Sequence, residues 1–169
     1  MIILGIDPGA RFSGYSVFQK NNHQLLLLDY GVIALGAQKP LPERIAIFHE
    51  KIDLLVKKFN ANYIALEEPF LGKNAQNFLK LGYLRGILYL IAQNNKINIL
   101  EFAPRKIKCA VTGFGGASKE QVAFMVRKQL PHVVANVRTD VTDALAVGLC
   151  GVWEVLRFAN RSHTGNIVR

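Results

Sequence analysis

Cysteine is nearly missing from this sequence: Cys109 and Cys150 are the only two in 169 residues. They are too few for a disulfide framework, and no CxxC pair occurs. The four histidines (His23, His49, His132, His163) fall at no ligand spacing, so no structural zinc site is expected. Two buried free thiols in a reducing cytoplasm are the simplest account of the cysteines. Long apolar runs are missing too. The opening Ile2-Ile3-Leu4-Gly5-Ile6 is short, has no basic leader and ends at an acid, so no signal peptide is expected. No other run reaches membrane-crossing length, which points to a soluble, cytoplasmic protein without a membrane partner. Repeats, low-complexity blocks and linkers are absent, leaving a single domain over residues 1–158 and a basic, flexible tail over 159–169. Acids are scarce, 12 against 21 Lys and Arg, a formal charge of +9. That surplus favours a polyanionic partner.

What is present reads as alternating elements. Met1–Ile6 is wholly apolar, as in a strand buried on both faces. Gly14–Lys20 and His23–Leu35 follow as strands joined by the short polar Lys20-Asn21-Asn22, so these three pair antiparallel, with a bulge expected near Asp29 or Gly31. Pro42 and Glu43 suit the first turn of a helix carrying Ile45, Phe48, Ile52, Leu55, Val56 and Phe59 at helical spacing. Tyr63–Glu67 is a buried strand, Asn74–Asn94 a long helix, Ile97–Phe102 a fifth strand and Pro104–Val111 a short helix. Ser118 with Gln121 forms a capping box opening a helix to Leu130, and a last helix covers Thr139–Phe158. The order β-β-β-α-β-α-β-α-α-α predicts an α/β fold, a mixed five-stranded sheet flanked by helices.

Four of the few acids occupy unusual positions. Asp7 and Glu67 each end an apolar core strand, where a carboxylate is costly to desolvate without a partner. Strand ends are also where α/β sheets place their sites. Asp140 and Asp143 are three apart near a helix start and share one face. Each acid has an ordinary alternative: Asp7 shaping a turn, Glu67 at a rim, the helical pair answering the helix dipole. Together, in a basic chain, they fit metal-assisted phosphodiester hydrolysis. Mg²⁺ takes hard oxygen ligands, and carboxylates hold two such ions against their mutual repulsion.

The ordered set Gly5-Ile6-Asp7-Pro8-Gly9, Gly14-Tyr15, Ala65-Leu66-Glu67 with Phe70, Lys73-Asn74-Ala75, Leu81-Gly82, Arg85-Gly86, Asp140 and Asp143-Ala144-Leu145-Ala146 closely resembles the RuvC family of bacterial Holliday junction resolvases. The likeness runs from about Ile2 to Cys150. It implies a ribonuclease H-like fold and a homodimer that binds four-way DNA junctions. It also implies symmetric nicking of two strands of like polarity, with Mg²⁺ (two ions per subunit, Mn²⁺ able to substitute) and with RuvA and RuvB as partners. The family's catalytic and metal-binding acids fall on Asp7, Glu67, Asp140 and Asp143, while chemistry alone would accept Glu68 in place of Glu67. By resemblance Phe70 is the aromatic that meets bases at the junction, and Lys108 and Lys119 contact DNA near the cut. Arg105 and Lys73 join that DNA-binding set, whereas Lys106 reads as a solvated face. Gly82 and Gly86, four apart on the long helix, suit either internal packing or a dimer contact. Two other readings compete: an ATP-dependent phosphotransferase of actin-like fold, suggested by Asp7 with Gly9 and Gly14, and a non-catalytic module that binds branched DNA.

Overall fold

The computed structural model describes residues 1–21, 24–69, 75–134 and 136–164, with side chains as far as Phe158. Five strands form one sheet: β1 (Ile2–Asp7), β2 (Phe12–Lys20), β3 (Leu25–Ala34), β4 (Tyr63–Glu67) and β5 (Asn98–Phe102). Their order is β3-β2-β1-β4-β5. β1–β2 and β2–β3 pair antiparallel, and β4 pairs parallel with both β1 and β5. This is the mixed sheet that the sequence predicts. The bulge falls at Leu28, beside the expected Asp29: Val17 pairs with Asp29 and Phe18 with Leu27.

Five helices cover the two faces: α1 (Leu41–Phe59), α2 (Ala75–Asn95), α3 (Pro104–Thr112), α4 (Lys119–Gln129) and α5 (Thr139–Thr164). Strand alternation sorts the core between them. Ile2, Leu4, Ile6, Ile64 and Leu66 pack with α1 and α2, while Ile3 and Ala65 pack with α3, α4 and α5. The same alternation turns Asp7 and Glu67 toward the α5 face. Their strands are parallel neighbours, with Ile6 opposite Leu66, so the two acids sit side by side at the strand ends.

α5 lies unusually close to the sheet because glycines face it. A Cβ on Gly5 would stand 2.6 Å from the Ala144 carbonyl oxygen, and one on Gly14 would overlap the Asp140 carbonyl oxygen. Buried Ser16 donates to the Ala144 carbonyl oxygen at 2.7 Å, satisfying polar groups inside that contact. The first turn of α5 is thereby pressed against β2 at Gly14, the partner of Asp7 at the end of β1.

Local signals set the helix ends. Ser118 and Gln121 form the reciprocal capping box that the sequence predicts at the start of α4. α3 stops at Gly113, whose φ of 79° no branched side chain tolerates well. Two expectations need correction. Only Cys150 is buried; Cys109 is exposed, because it lies on the outer face of α3 while Ile107 and Val111 face the core. The last helix also continues past Phe158 to Thr164, since nothing in Ala159–Thr164 breaks a helix already anchored by its buried first half.

Candidate active site

Asp7 and Glu67 arrive from β1 and β4, and Asp140 and Asp143 from the first two turns of α5. The four acids anticipated from sequence therefore share one end of the sheet. Their mutual influence is large. The Asp7 carboxyl is pushed up to about 7, first by burial and then by the negative charges of Asp143, Asp140 and Glu67. Glu67 is raised by burial and by Asp143. Asp143 is also raised by burial, against the opposing pull of Lys119. Glu68 is exposed, and its backbone N–H donates to the Phe102 carbonyl oxygen at 2.9 Å. Alternation along β4 thus favours Glu67 over Glu68.

Two of the four acids are met by cations. Lys119 Nζ lies 3.6 Å from Asp143 Oδ2, and Arg138 Nε donates to Asp140 Oδ2 at 3.1 Å. Among the described residues no three His, Cys, Asp or Glu side chains are gathered tightly enough to hold an ion as they stand. The donor chemistry nevertheless suits a hard divalent cation: all oxygen, half-buried, and with the Asp7 and Glu67 carboxyls still raised by burial and like charge despite the nearby lysines. Lys119 satisfies Asp143 from a largely exposed position, so its side chain is free to turn away, whereas Arg138 is also held over the Phe12 ring.

The basic residues separate clearly. Lys108 and Lys119 line a hollow of about 120 Å³ together with Glu67 and Asp143, and both cations lower the Glu67 carboxyl. Arg105 is exposed on α3 and its side chain packs against Gly115. Lys106 pairs with Glu154 at 2.9 Å and lies over the Phe102 ring, away from the acids, as a structural residue. Phe70 and Lys73 lie outside the described residues. Gly82 and Gly86 have open space where a Cβ would stand, so they serve no close packing within the chain.

Sequence reasoning gave no role to two residues, Arg85, which it named only within a motif, and Arg138. Arg85 is buried under the site: it donates to the Glu67 carbonyl oxygen at 2.7 Å and to Tyr89 Oη at 3.3 Å, and it pairs with Glu101. Arg85 stands in the Arg85-Gly86 motif, and its place between Leu84 and Leu88 on an apolar helix face was the available signal. Arg138 was the other; it stacks over the Phe12 ring at 3.9 Å while holding Asp140.

Comparison with known proteins agrees with this fold. The family model for crossover junction endodeoxyribonuclease RuvC matches residues 3–151. A crossover junction endodeoxyribonuclease RuvC of Chlorobium phaeobacteroides is 41% identical over 162 residues, covering 96% of this chain and 85% of its own. That of Chloroherpeton thalassium is 40% identical, covering 89% and 81%. The solved structure of Thermus thermophilus RuvC in complex with a Holliday junction substrate superposes with a TM-score of 0.83 at 29% identity, over 92% of this chain and 94% of that one. The sheet is thus of the ribonuclease H-like kind. With the family model spanning all four acids and the relatives covering most of its length, this chain belongs to the RuvC family of crossover junction endodeoxyribonucleases.

Proposed function

We propose that this chain is a divalent-metal-dependent endonuclease that resolves four-way DNA junctions in recombination and repair, nicking two strands of like polarity. The carrying observation is the convergence of Asp7, Glu67, Asp140 and Asp143 at one end of the sheet in a chain of formal charge +9. A non-catalytic binding module has no use for four converging acids in a basic chain, one of them, Asp7, held at about 7 by burial and then by its like-charged neighbours.

The four acids would hold Mg²⁺, two ions per subunit, with Mn²⁺ able to replace it. Such ions, when bound, acidify water and stabilise the leaving oxygen of the phosphodiester. The chain's own part is positional. Lys119 leaves Asp143 for a DNA phosphate, and Lys108 meets the same strand from α3. Arg105, Phe70 and Lys73 extend the DNA contact. Arg85 fixes the Glu67 backbone, so that this acid cannot retreat when the strand arrives.

A four-way junction offers two equivalent strands, which suits a two-fold dimer with one site per subunit. Leu79, Gly82, Tyr83, Gly86 and Leu90 make an exposed stripe along α2, which supports the homodimer. RuvA and RuvB are proposed as partners, the cytoplasm as the location, and 1–158 as the nuclease domain with 159–169 as its tail. Among the described residues no helix is long and apolar enough to cross a membrane.

The test is a synthetic four-way junction incubated with protein and Mg²⁺ beside a plain duplex. The junction is cut and the duplex spared. Asp7→Asn stops the cutting while junction binding persists. A folded, dimeric protein that leaves the junction whole at every Mg²⁺ concentration overturns the reading.

A further inference from the structure

Positive charge flanks the acids on two sides, and Lys108 and Lys119 account for only one of them. On the other side a cleft of about 450 Å³ borders Asp140 and lies between the β1–β2 loop, α1 and the first turns of α2. Arg11, Arg44 and Lys80 line it, together with Phe12 and Gln76.

Arg44 is a strut. Its Nε donates to the Lys39 carbonyl oxygen at 2.8 Å and its Nη1 to the Ala10 carbonyl oxygen at 3.0 Å. Its charge is therefore fixed in the wall, and it ties α1 to the loop that follows Asp7. Arg11 and Lys80 make no ion pair among the described residues. The one acid on the border, Asp140, is already engaged by Arg138. Three like charges around a cleft without an acid of their own are stabilised by an incoming anion. The cleft also offers no stacking platform for a base, because the Phe12 ring is covered by Arg138 at 3.9 Å. Its volume is that of a small-ligand site and exceeds what a lone ion needs. A nucleic-acid backbone meets all three conditions: anionic, extended, and read without base contact.

We infer that Arg11, Arg44 and Lys80 seat a backbone phosphate of the DNA strand that crosses the acids, on the Asp140 side, opposite Lys108 and Lys119. The strand is then gripped on both sides of the phosphate to be cut. This inference rests on the nuclease reading above. Lys80 and Arg11 are the contact residues, and Arg44 positions the loop.

The experiment uses the full chain and junctions carrying a single neutral methylphosphonate at successive positions on either side of the cut, with affinity measured in Ca²⁺. For the wild type, one position on one flank lowers affinity several-fold. Arg11→Gln/Lys80→Gln weakens binding of the all-phosphate junction by about tenfold and lowers the slope of log K against log [salt] by about 2. In that variant the same neutral position costs nothing further, the signature of a shared contact. Arg11→Lys/Lys80→Arg restores both affinity and sensitivity, which separates lost charge from lost fold. Variant binding equal to wild type, or weakened binding with full sensitivity at every position, overturns the seat. A junction that shows the coupling but is never cut preserves the seat and removes the nuclease reading; normal cutting without the coupling removes the seat alone.

Discussion

Asp7 is where the residue-scale energetics are clearest. Its carboxyl rises from the ordinary 3.8 to about 7, so the folded chain holds that proton more tightly than the unfolded chain does. Below pH of about 4 both states are protonated and no difference exists. Between about 4 and 7 the unfolded carboxyl ionises first, and stability falls as pH rises. Above 7 the loss is complete, at most about 4 kcal/mol. In chelator, Asp7→Asn should therefore melt higher than wild type at pH 8 and at the same temperature at pH 4. Equal melting at both pH values would detach Asp7 from the repulsion described. Added divalent cation should raise the wild-type melting temperature at pH 8 and leave Asp7→Asn nearly unmoved. Arg138 competes with that cation for Asp140. Titration calorimetry should accordingly find Arg138→Gln binding Mn²⁺ several-fold more tightly than wild type in the absence of DNA. The four acids were legible in the sequence because Asp7 and Glu67 each end an apolar strand and Asp140 and Asp143 share one face at a helix start. Arg138 was not, because a basic residue ahead of a helix carries no pattern and its value lies in Phe12, remote in the chain.

At the scale of elements, α2 has two faces with different tasks. The inner face carries Leu84, Arg85, Leu88 and Ile91. Arg85→Met removes the donor to the Glu67 carbonyl oxygen and strands part of Glu101. Because Glu101 still reaches water, the cost should fall near about 2–3 kcal/mol, below that of a fully buried pair. A denaturant melt checks the stability, and a greater loss in cutting than in junction binding would mark the displaced Glu67. The outer face carries Leu79, Gly82, Tyr83, Gly86 and Leu90. Leu90→Glu should give a monomer by sedimentation, with the melting temperature of the isolated fold little changed; a persisting dimer would place the interface elsewhere. Helical spacing announced α2 but not the division of its faces. Gly82 and Gly86 read equally well as internal or external contacts until their surroundings proved open. The end of α5 was misread for a related reason. Polarity after Phe158 marks exposure, and an exposed helix continues as long as nothing in its sequence breaks it. Cys109 shows the same limit: a small apolar residue on a short helix does not reveal which side faces out.

For the whole molecule, the +9 charge is distributed so that cations gather on both sides of an acidic centre. Junction binding should weaken steeply with salt, as counterions return to the phosphates. Affinity that ignores salt would contradict that distribution. Lys106→Gln, paired with Glu154 away from the acids, should leave junction affinity within about twofold. The order of elements could be anticipated because each apolar run is bounded by turn residues, and helices separate the strands after β3. The packing of α5 on β1 and β2 could not, because it depends on glycines at positions 5 and 14 meeting the carbonyl oxygens of residues 144 and 140. That contact also has a consequence for biosynthesis. Asp7 is translated ahead of Asp140 and Asp143, and it acquires them as neighbours only when the chain beyond Thr139 has emerged and docked. A chain interrupted before Thr139 lacks both α5 acids and the helix that buries Asp7, so the acidic centre is assembled last.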